Sequence, residues 1–227
     1  MLMTKKKIIV AIDSSSETES AAILSKLDPE LCMVKIGSVA FNSQGKDLIE
    51  FVHSKGFQIF LDLKFHDIPN TVKESILGIK SLSIEMLTIH ISGGLGMMRA
   101  AMEAVEGTTI KIFGVTALTS LTNDDVKHIF QRDMSDQVNA MLDLAEQAGI
   151  DGVVCSPHEL PLVKARNCFL SVTPGIRLQN SEDDQRRVMT PSQAIKLGAD
   201  YLVIGRPITG AQDISSALVN IHQSIDA

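Results

Sequence analysis

Eight short apolar, β-branched runs recur along the chain with helix-like segments between them, and that alternation leaves few folds open. The runs occupy 8–12, 33–36, 58–63, 86–90, 111–115, 152–155, 169–172 and 201–204. Stretches such as IIVAI and YLVIG are apolar at every position, as strands buried on both faces of a parallel sheet must be. The segments between carry helix signals. Ser14 and Glu17 form a candidate capping box ahead of ETESAAILSKL. Gly56, Gly107, Gly149 and Gly198 each stand where a helix would need a left-handed terminating residue. Glu103, Glu146 and Lys196 lie opposite the apolar positions of their helices. Eight strands alternating with helices in 227 residues predict an α/β (β/α)8 TIM barrel, with a doubly wound open sheet as the structural competitor. No Ser/Gly/Pro-rich linker breaks the chain, so one domain over 1–227 is expected.

Composition narrows the class further. The chain is 44% hydrophobic and 21% charged, enough apolar material for a sizeable core. A net charge of -6 argues against nucleic acid, which needs a broad basic face, but leaves room for a local cationic pocket. Three widely spaced cysteines (Cys32, Cys155, Cys168) form no CxxC pair and imply neither a disulfide framework nor a zinc site. The apolar run after the basic start is too short for a signal peptide, and no window has the length of a membrane span. A cytoplasmic protein with reduced thiols is expected.

In a barrel, chemistry gathers where strands end in the βα loops. The ends of the apolar runs carry Asp13, Lys35, Asp62 with Lys64, His90, Thr116, Ser156, Pro174-Gly175 and Gly205-Arg206. Charged residues there carry a large desolvation cost unless they pair. The densest block is Asp62-Leu63-Lys64-Phe65-His66-Asp67. Strand alternation sends Asp62 and Lys64 to one face, and Lys35 reaches the same space from an earlier strand. Acids and lysines interleaved in this way hold one another charged. The plainer reading is a structural ion-pair network at a barrel mouth.

The loops after the last two strands read VTPGIR (172–177) and VIGRP (203–207). Barrels commonly bind phosphate at these loops, where glycine lets backbone N–H groups approach and an arginine fork chelates the anion. The polar stretch 177–189, with Gln185, reads as a loop able to close on a ligand, or simply as a solvated surface loop. Ser92-Gly93-Gly94-Leu95-Gly96 matches neither G-x-G-x-x-G nor a Walker A sequence and is better taken as a βα turn. His66 and His90 have no partners at metal-ligand spacing, His128 and His158 read as surface residues, and Ser14–Ser16 read as helix-capping.

Taken together, AID ending at Asp13, VKIG at Lys35, DLKFHDIPNT from Asp62 to Thr71, VTALTS, VTPGIR, DDQRR around Gln185 and VIGRPIT resemble the bacterial orotidine 5′-phosphate decarboxylases. The blocks run in the same order from Asp13 to about Thr209. The resemblance implies a homodimer of (β/α)8 barrels with shared active sites and no metal or cofactor. It implies that Lys64 is the essential lysine, flanked by Asp62 and Lys35, with Asp67 contributed to the other subunit's site together with Ile68 and Thr71. Asp13 and Lys35 would hold the ribose hydroxyls, and Thr119 and Ser120 the pyrimidine edge. Gln185 would bridge base and phosphate, while Pro174, Arg177, Gly205 and Arg206 would build the phosphate site. The rival enzyme reading is a Mg²⁺-dependent 3-keto-gulonate 6-phosphate decarboxylase, which shares the D-x-K-x-x-D block. A non-catalytic phosphate-binding barrel is the alternative from another class.

Overall fold

The computed structural model describes residues 6–177 and 189–226. The wholly apolar runs become strands with no exposed face. β1 (Ile8–Ile12), β2 (Cys32–Gly37) and β8 (Tyr201–Ile204) are buried at every residue. Between them stand β3 (Ile59–Phe65), β4 (Met86–His90), β5 (Lys111–Val115), β6 (Gly152–Val154) and β7 (Leu170–Thr173). Each strand pairs in parallel with its sequence neighbours, and β8 closes on β1 through Ile8↔Leu202, Ile9↔Val203 and Val10↔Ile204. The open-sheet alternative is thereby excluded, and the fold is a (β/α)8 barrel. The expected bounds hold at β1, β4, β5 and β8. β3 runs to Phe65, so Asp62 and Lys64 lie within the strand, and β6 stops one residue short of Cys155.

The helices follow in turn: α1 (Glu17–Leu24), α2 (Ser38–Ser54), α3 (Pro69–Leu77) and α4 (Gly94–Ala104) after the first four strands. α5 (Asn123–Phe130) and α6 (Met134–Ala148) both follow β5, then come α7 (Leu160–Lys164), α8 (Pro191–Lys196), α9 (Arg206–Thr209) and α10 (Ile214–Asp226). The SGGLG segment is a tight turn, a 3-10 stretch over Ile91–Gly93 that opens α4. Gly149 ends α6 in the left-handed region at φ 72, and Gly56, Gly107 and Gly198 also have positive φ. The cap of α1 differs from expectation. Ser16, not Ser14, accepts the Glu19 N–H, while the Ser14 hydroxyl bonds the Glu19 carboxylate. The helix opens at Glu17 as expected, and Ser14 instead turns the loop before it, its Oγ accepting from Ser16 N. Among the described residues no helix is long and apolar enough to cross a membrane. All three cysteines are free thiols.

Side-chain alternation splits the apolar residues into two cores. Ile8, Val10, Ile36, Leu61 and Leu87 join the layer between sheet and helices. Ile9, Met33, Phe60, Met86, Phe113, Val172 and Tyr201 fill the lumen. Phe113 makes edge-on contacts with Phe60 and Tyr201 at centroid distances of 6.2 and 6.4 Å, giving the lumen an aromatic floor. At the N-terminal rim, carboxylates tie down strand starts: Glu85 accepts from Ile59 N, Asp151 from Ile112 N at 2.8 Å and Asp200 from Ser171 N at 2.9 Å. These bonds satisfy backbone donors that the ladder leaves open.

Gly152 sits where the lumen is tightest. A Cβ there would lie 2.5 Å from both the Leu170 carbonyl oxygen and Phe113 Cε1. The carbonyl belongs to the paired strand and cannot step aside. Gly152→Ala is therefore expected to destabilise the fold by about 1–3 kcal/mol, the usual cost of overpacking, read as a lower denaturation midpoint in urea. An unchanged midpoint would show that β6 and β7 can spread.

Candidate active site at the C-terminal rim

The strands that floor the lumen with apolar side chains turn polar toward their C-terminal ends. β2 runs inward from Met33 to Lys35, β3 from Phe60 to Asp62 and Lys64, and β4 from Met86 to Thr88 and His90. The result is a cavity of about 820 Å³ at the rim, within the range of small-molecule sites. Asp13, Lys35, Asp62, Lys64, Thr119, Pro174, Arg177, Gly205 and Arg206 all line it.

Asp62 is the hub. Its Oδ2 takes Lys64 Nζ at 2.7 Å and faces Lys35 Nζ at 3.5 Å. Lys35 Nζ also meets Asp13 Oδ1 at 3.1 Å, so charges alternate along one chain from Asp13 to Lys64. Burial alone would raise the Asp62 carboxyl. The Lys35 and Lys64 charges, with hydrogen bonds from Lys64 and Thr88, outweigh it and hold the group below the usual carboxylate range. His90 is pushed the other way, toward its neutral form, by burial and by the nearby His66 and Lys64; its ring lies 5.1 Å from that of His66.

The backbone beneath this chain of charges is irregular. Leu61 pairs with Leu87 and Phe65 with Ile89, so three residues of β3 stand opposite Thr88 alone. Lys64 takes a left-handed φ of 51, sparsely populated by side-chain-bearing residues, within this bulge. Two further residues shape the site without a sequence signal of their own. A Cβ on Gly37 would lie 2.7 Å from Lys35 Nζ and 3.1 Å from Asp13 Oδ1. Gln44 donates to the Ser14 carbonyl at 2.9 Å and to Ser20 Oγ at 3.1 Å, bracing the loop that carries Asp13. Ser14, Ser15 and Glu19 also line the cavity; their pattern reads only as helix-capping.

Not every expected residue converges. Asp67, Ile68, Thr71 and Ser120 do not line the cavity. The 66–71 segment is exposed throughout, with Asp67 Oδ1 accepting from Ile68 N and Ile68 67% exposed. Gln185, and with it most of the 177–189 loop, lies outside the described residues. The ends of that stretch meet at the rim, where Arg177 N donates to the Met189 carbonyl at 3.0 Å and Met189 N to that of Gly175 at 3.2 Å. Arg177 is buried and bonds the Ile176 carbonyl, whereas Arg206, the first residue of α9, is exposed. Among the described residues no group of three or more His, Cys, Asp or Glu side chains is arranged to hold a metal.

The Gly37 contact gives a direct test. Its φ of -94 is open to any residue, so Gly37→Ala should fold with a thermal midpoint within about 2 °C of the parent. The added methyl should displace Lys35 Nζ from Asp13, visible in a crystal structure of the variant. An undisturbed 3.1 Å contact would mean the loop absorbs the methyl elsewhere.

Comparison with known proteins converges on one family. A sequence model described as "Orotidine 5'-phosphate decarboxylase / HUMPS family" matches residues 6–221. The chain is 44% identical over 230 residues to the orotidine 5′-phosphate decarboxylase of Shewanella sediminis, covering 98% of each. It is 47% identical over 228 residues to that of Coxiella burnetii, covering 96% of each. The crystal structure of the Lactobacillus acidophilus orotidine 5′-phosphate decarboxylase superimposes with a TM-score of 0.86 at 37% identity, covering 98% of this chain and 100% of that one.

Proposed function

The chain belongs to the orotidine 5′-phosphate decarboxylase / HUMPS family, and we propose that it converts orotidine 5′-phosphate to uridine 5′-phosphate in pyrimidine nucleotide synthesis. The observation that carries this reading is the Lys64 ammonium, braced 2.7 Å from Asp62 above the lumen floor, in the same cavity as the Gly205-Arg206 loop. That combination suits a substrate anchored by a phosphate and reacting at a remote carbon. The identity to relatives named orotidine 5′-phosphate decarboxylase favours this substrate over a phosphosugar acid.

In the proposed step the C6–carboxylate bond breaks, CO₂ leaves and the electron pair stays on C6. No carbonyl adjoins C6 to delocalise that charge in the usual way. An ammionium fixed beside it stabilises the developing carbanion, and Lys64 then gives C6 its proton and is reprotonated by solvent. Asp62 pairs with Lys64 and aims it, and Lys35 holds the same carboxylate from β2. Asp13 and Lys35 hold the ribose hydroxyls, and Thr119 and Ser120 the pyrimidine edge. Pro174, Arg177, Gly205 and Arg206, with Gln185, hold the phosphate, whose binding energy supports turnover at a distance. This chemistry calls on no cofactor.

The test is ultraviolet absorbance of orotidine 5′-phosphate with purified protein and EDTA. Conversion to uridine 5′-phosphate is expected, with Lys64→Ala slower by at least about 10³-fold while its unfolding curve stays near that of the parent. Activity only on a phosphosugar acid with Mg²⁺ would transfer the chain to the other branch of the family.

We further propose that two copies share their sites, with Asp67, Ile68 and Thr71 of each copy entering the other's cavity. The support is their place within the Asp62–Thr71 block, their exposure, and a long aliphatic side chain left facing solvent. Mixing Asp67→Asn with Lys64→Ala protein should regain activity. Random reassortment makes half of the dimers mixed, each with one intact site, so about a quarter of all sites recover. No gain on mixing, with both variants dimeric, would place Asp67 outside the partner's site.

A further inference from the structure

Thr88 is a fully buried hydroxyl on β4 that the proposed chemistry does not use, yet it touches both ends of the reactive pair. Its hydroxyl donates to Asp62 Oδ1 at 3.0 Å, and its Oγ1 accepts the Lys64 backbone N–H at 2.8 Å. The pairing of β3 with β4 explains why one side chain reaches both. Between Leu61↔Leu87 and Phe65↔Ile89, Thr88 is the only β4 residue facing Asp62, Leu63 and Lys64. The bulge takes the Lys64 N–H out of the regular ladder, and the threonine oxygen receives it.

From this geometry we propose that Thr88 is a positioning residue, fixing the left-handed backbone at Lys64 and the rotamer of Asp62 so that the ammonium stands at one defined point. Both contacts are needed. Asp62 Oδ2 is engaged by the two lysines, so Oδ1 must be held from elsewhere if the carboxylate is not to rotate about χ2. A φ of 51 at Lys64 persists only where surrounding structure over-determines it, and the Thr88 bond is part of that constraint.

The inference rests on the reading of Lys64 as the reacting ammonium, and its test keeps the two separable. Thr88→Val removes the hydroxyl at nearly constant shape, and Thr88→Ser retains it. For Thr88→Val, kcat is expected to fall roughly 10- to 100-fold with KM changed less than about threefold, since the phosphate loops are untouched. Thr88→Ser should restore kcat to within about threefold of the parent. The pH profile supplies a readout that packing alone would not move. Asp62 faces Lys35 from β2 and Lys64 from its own strand, with Asp13 from the loop after β1 behind Lys35 and His90 from β4 nearby. Losing the Thr88 donor disfavours the charged carboxylate, so the acid limb of kcat/KM should move to higher pH in Thr88→Val and stay in place in Thr88→Ser. If Thr88→Val fails to fold, Thr88→Ala takes its place in the same comparison with Thr88→Ser. A hydroxyl-free variant with parental kcat and acid limb, or a serine variant impaired as much as it, would overturn the assignment. Lys64→Ala measured alongside separates the failures: if it remains active, the lysine reading falls first.

Discussion

A carboxylate buried between two lysines is the constraint around which the rest of this barrel is arranged. Moving Asp62 out of water costs several kcal/mol, and only close, well-oriented counter-charges make that tolerable. Lys64 at 2.7 Å and Lys35 at 3.5 Å supply them, and Asp13 then holds the outer side of Lys35. Each member depends on the next, so a small intrusion at one shifts the geometry of the others. Gly37 is glycine because a methyl would occupy the space of the Lys35 ammonium. Thr88 is a hydroxyl because Asp62 Oδ1 and the Lys64 N–H both need a partner that the bulged ladder does not provide.

The two ends of the barrel use the same residue types for opposite purposes. At the N-terminal rim, Glu85, Asp151 and Asp200 all accept from backbone N–H groups at strand starts, and Asp200 Oδ2 also pairs with Lys164 at 2.5 Å. Those bonds hold strands in register and tie the carboxylates into the fold. At the C-terminal rim, Asp13 and Asp62 bond lysines, Asp62 both Lys64 of its own strand and Lys35 of β2, and β3 is bulged where Lys64 stands. What separates the two ends is the main-chain bonding: Glu85, Asp151 and Asp200 each hold a strand start, whereas Asp62 bonds the Lys64 and Lys35 side chains and the Thr88 hydroxyl.

Much of the architecture was legible because it rests on period and polarity. Wholly buried strands must read as unbroken apolar runs, and the polar residues at their ends had to face a common rim. Asp13, Lys35, Asp62 and Lys64 were visible for that reason. Thr88 was not: threonine in MLTIH is an ordinary strand residue, and only the β3 bulge, a relation between two strands, makes it singular. Gly37 was hidden likewise, since its role is space left for two side chains from other positions. Ser14 was misjudged because capping patterns are local, while its bonds to Ser16 and Glu19, and the grip of Gln44 from α2 on its carbonyl, form in three dimensions. The 66–71 segment carries a block legible in sequence, yet it is exposed and its Asp67, Ile68 and Thr71 do not line the cavity.

The charge balance of the cavity explains how a protein of net charge -6 can favour an anionic ligand. Asp13, Lys35, Asp62 and Lys64 offset one another, so the inner site has little net field of its own. Among the described residues the remaining cationic lining is Arg177, after β7, and Arg206, at the start of α9, with Glu19 a further acid on the β1 side. Attraction for a phosphate is thus concentrated at the outer loops, while the inner lysines remain committed to their acids. Under the proposed function, such a division would let the outer charges capture the ligand while Asp62, and not the ligand's phosphate, orients Lys64. On the proposed reading, pairing contributes specificity as well as geometry, because the inner cations are those least available to a bulk anion.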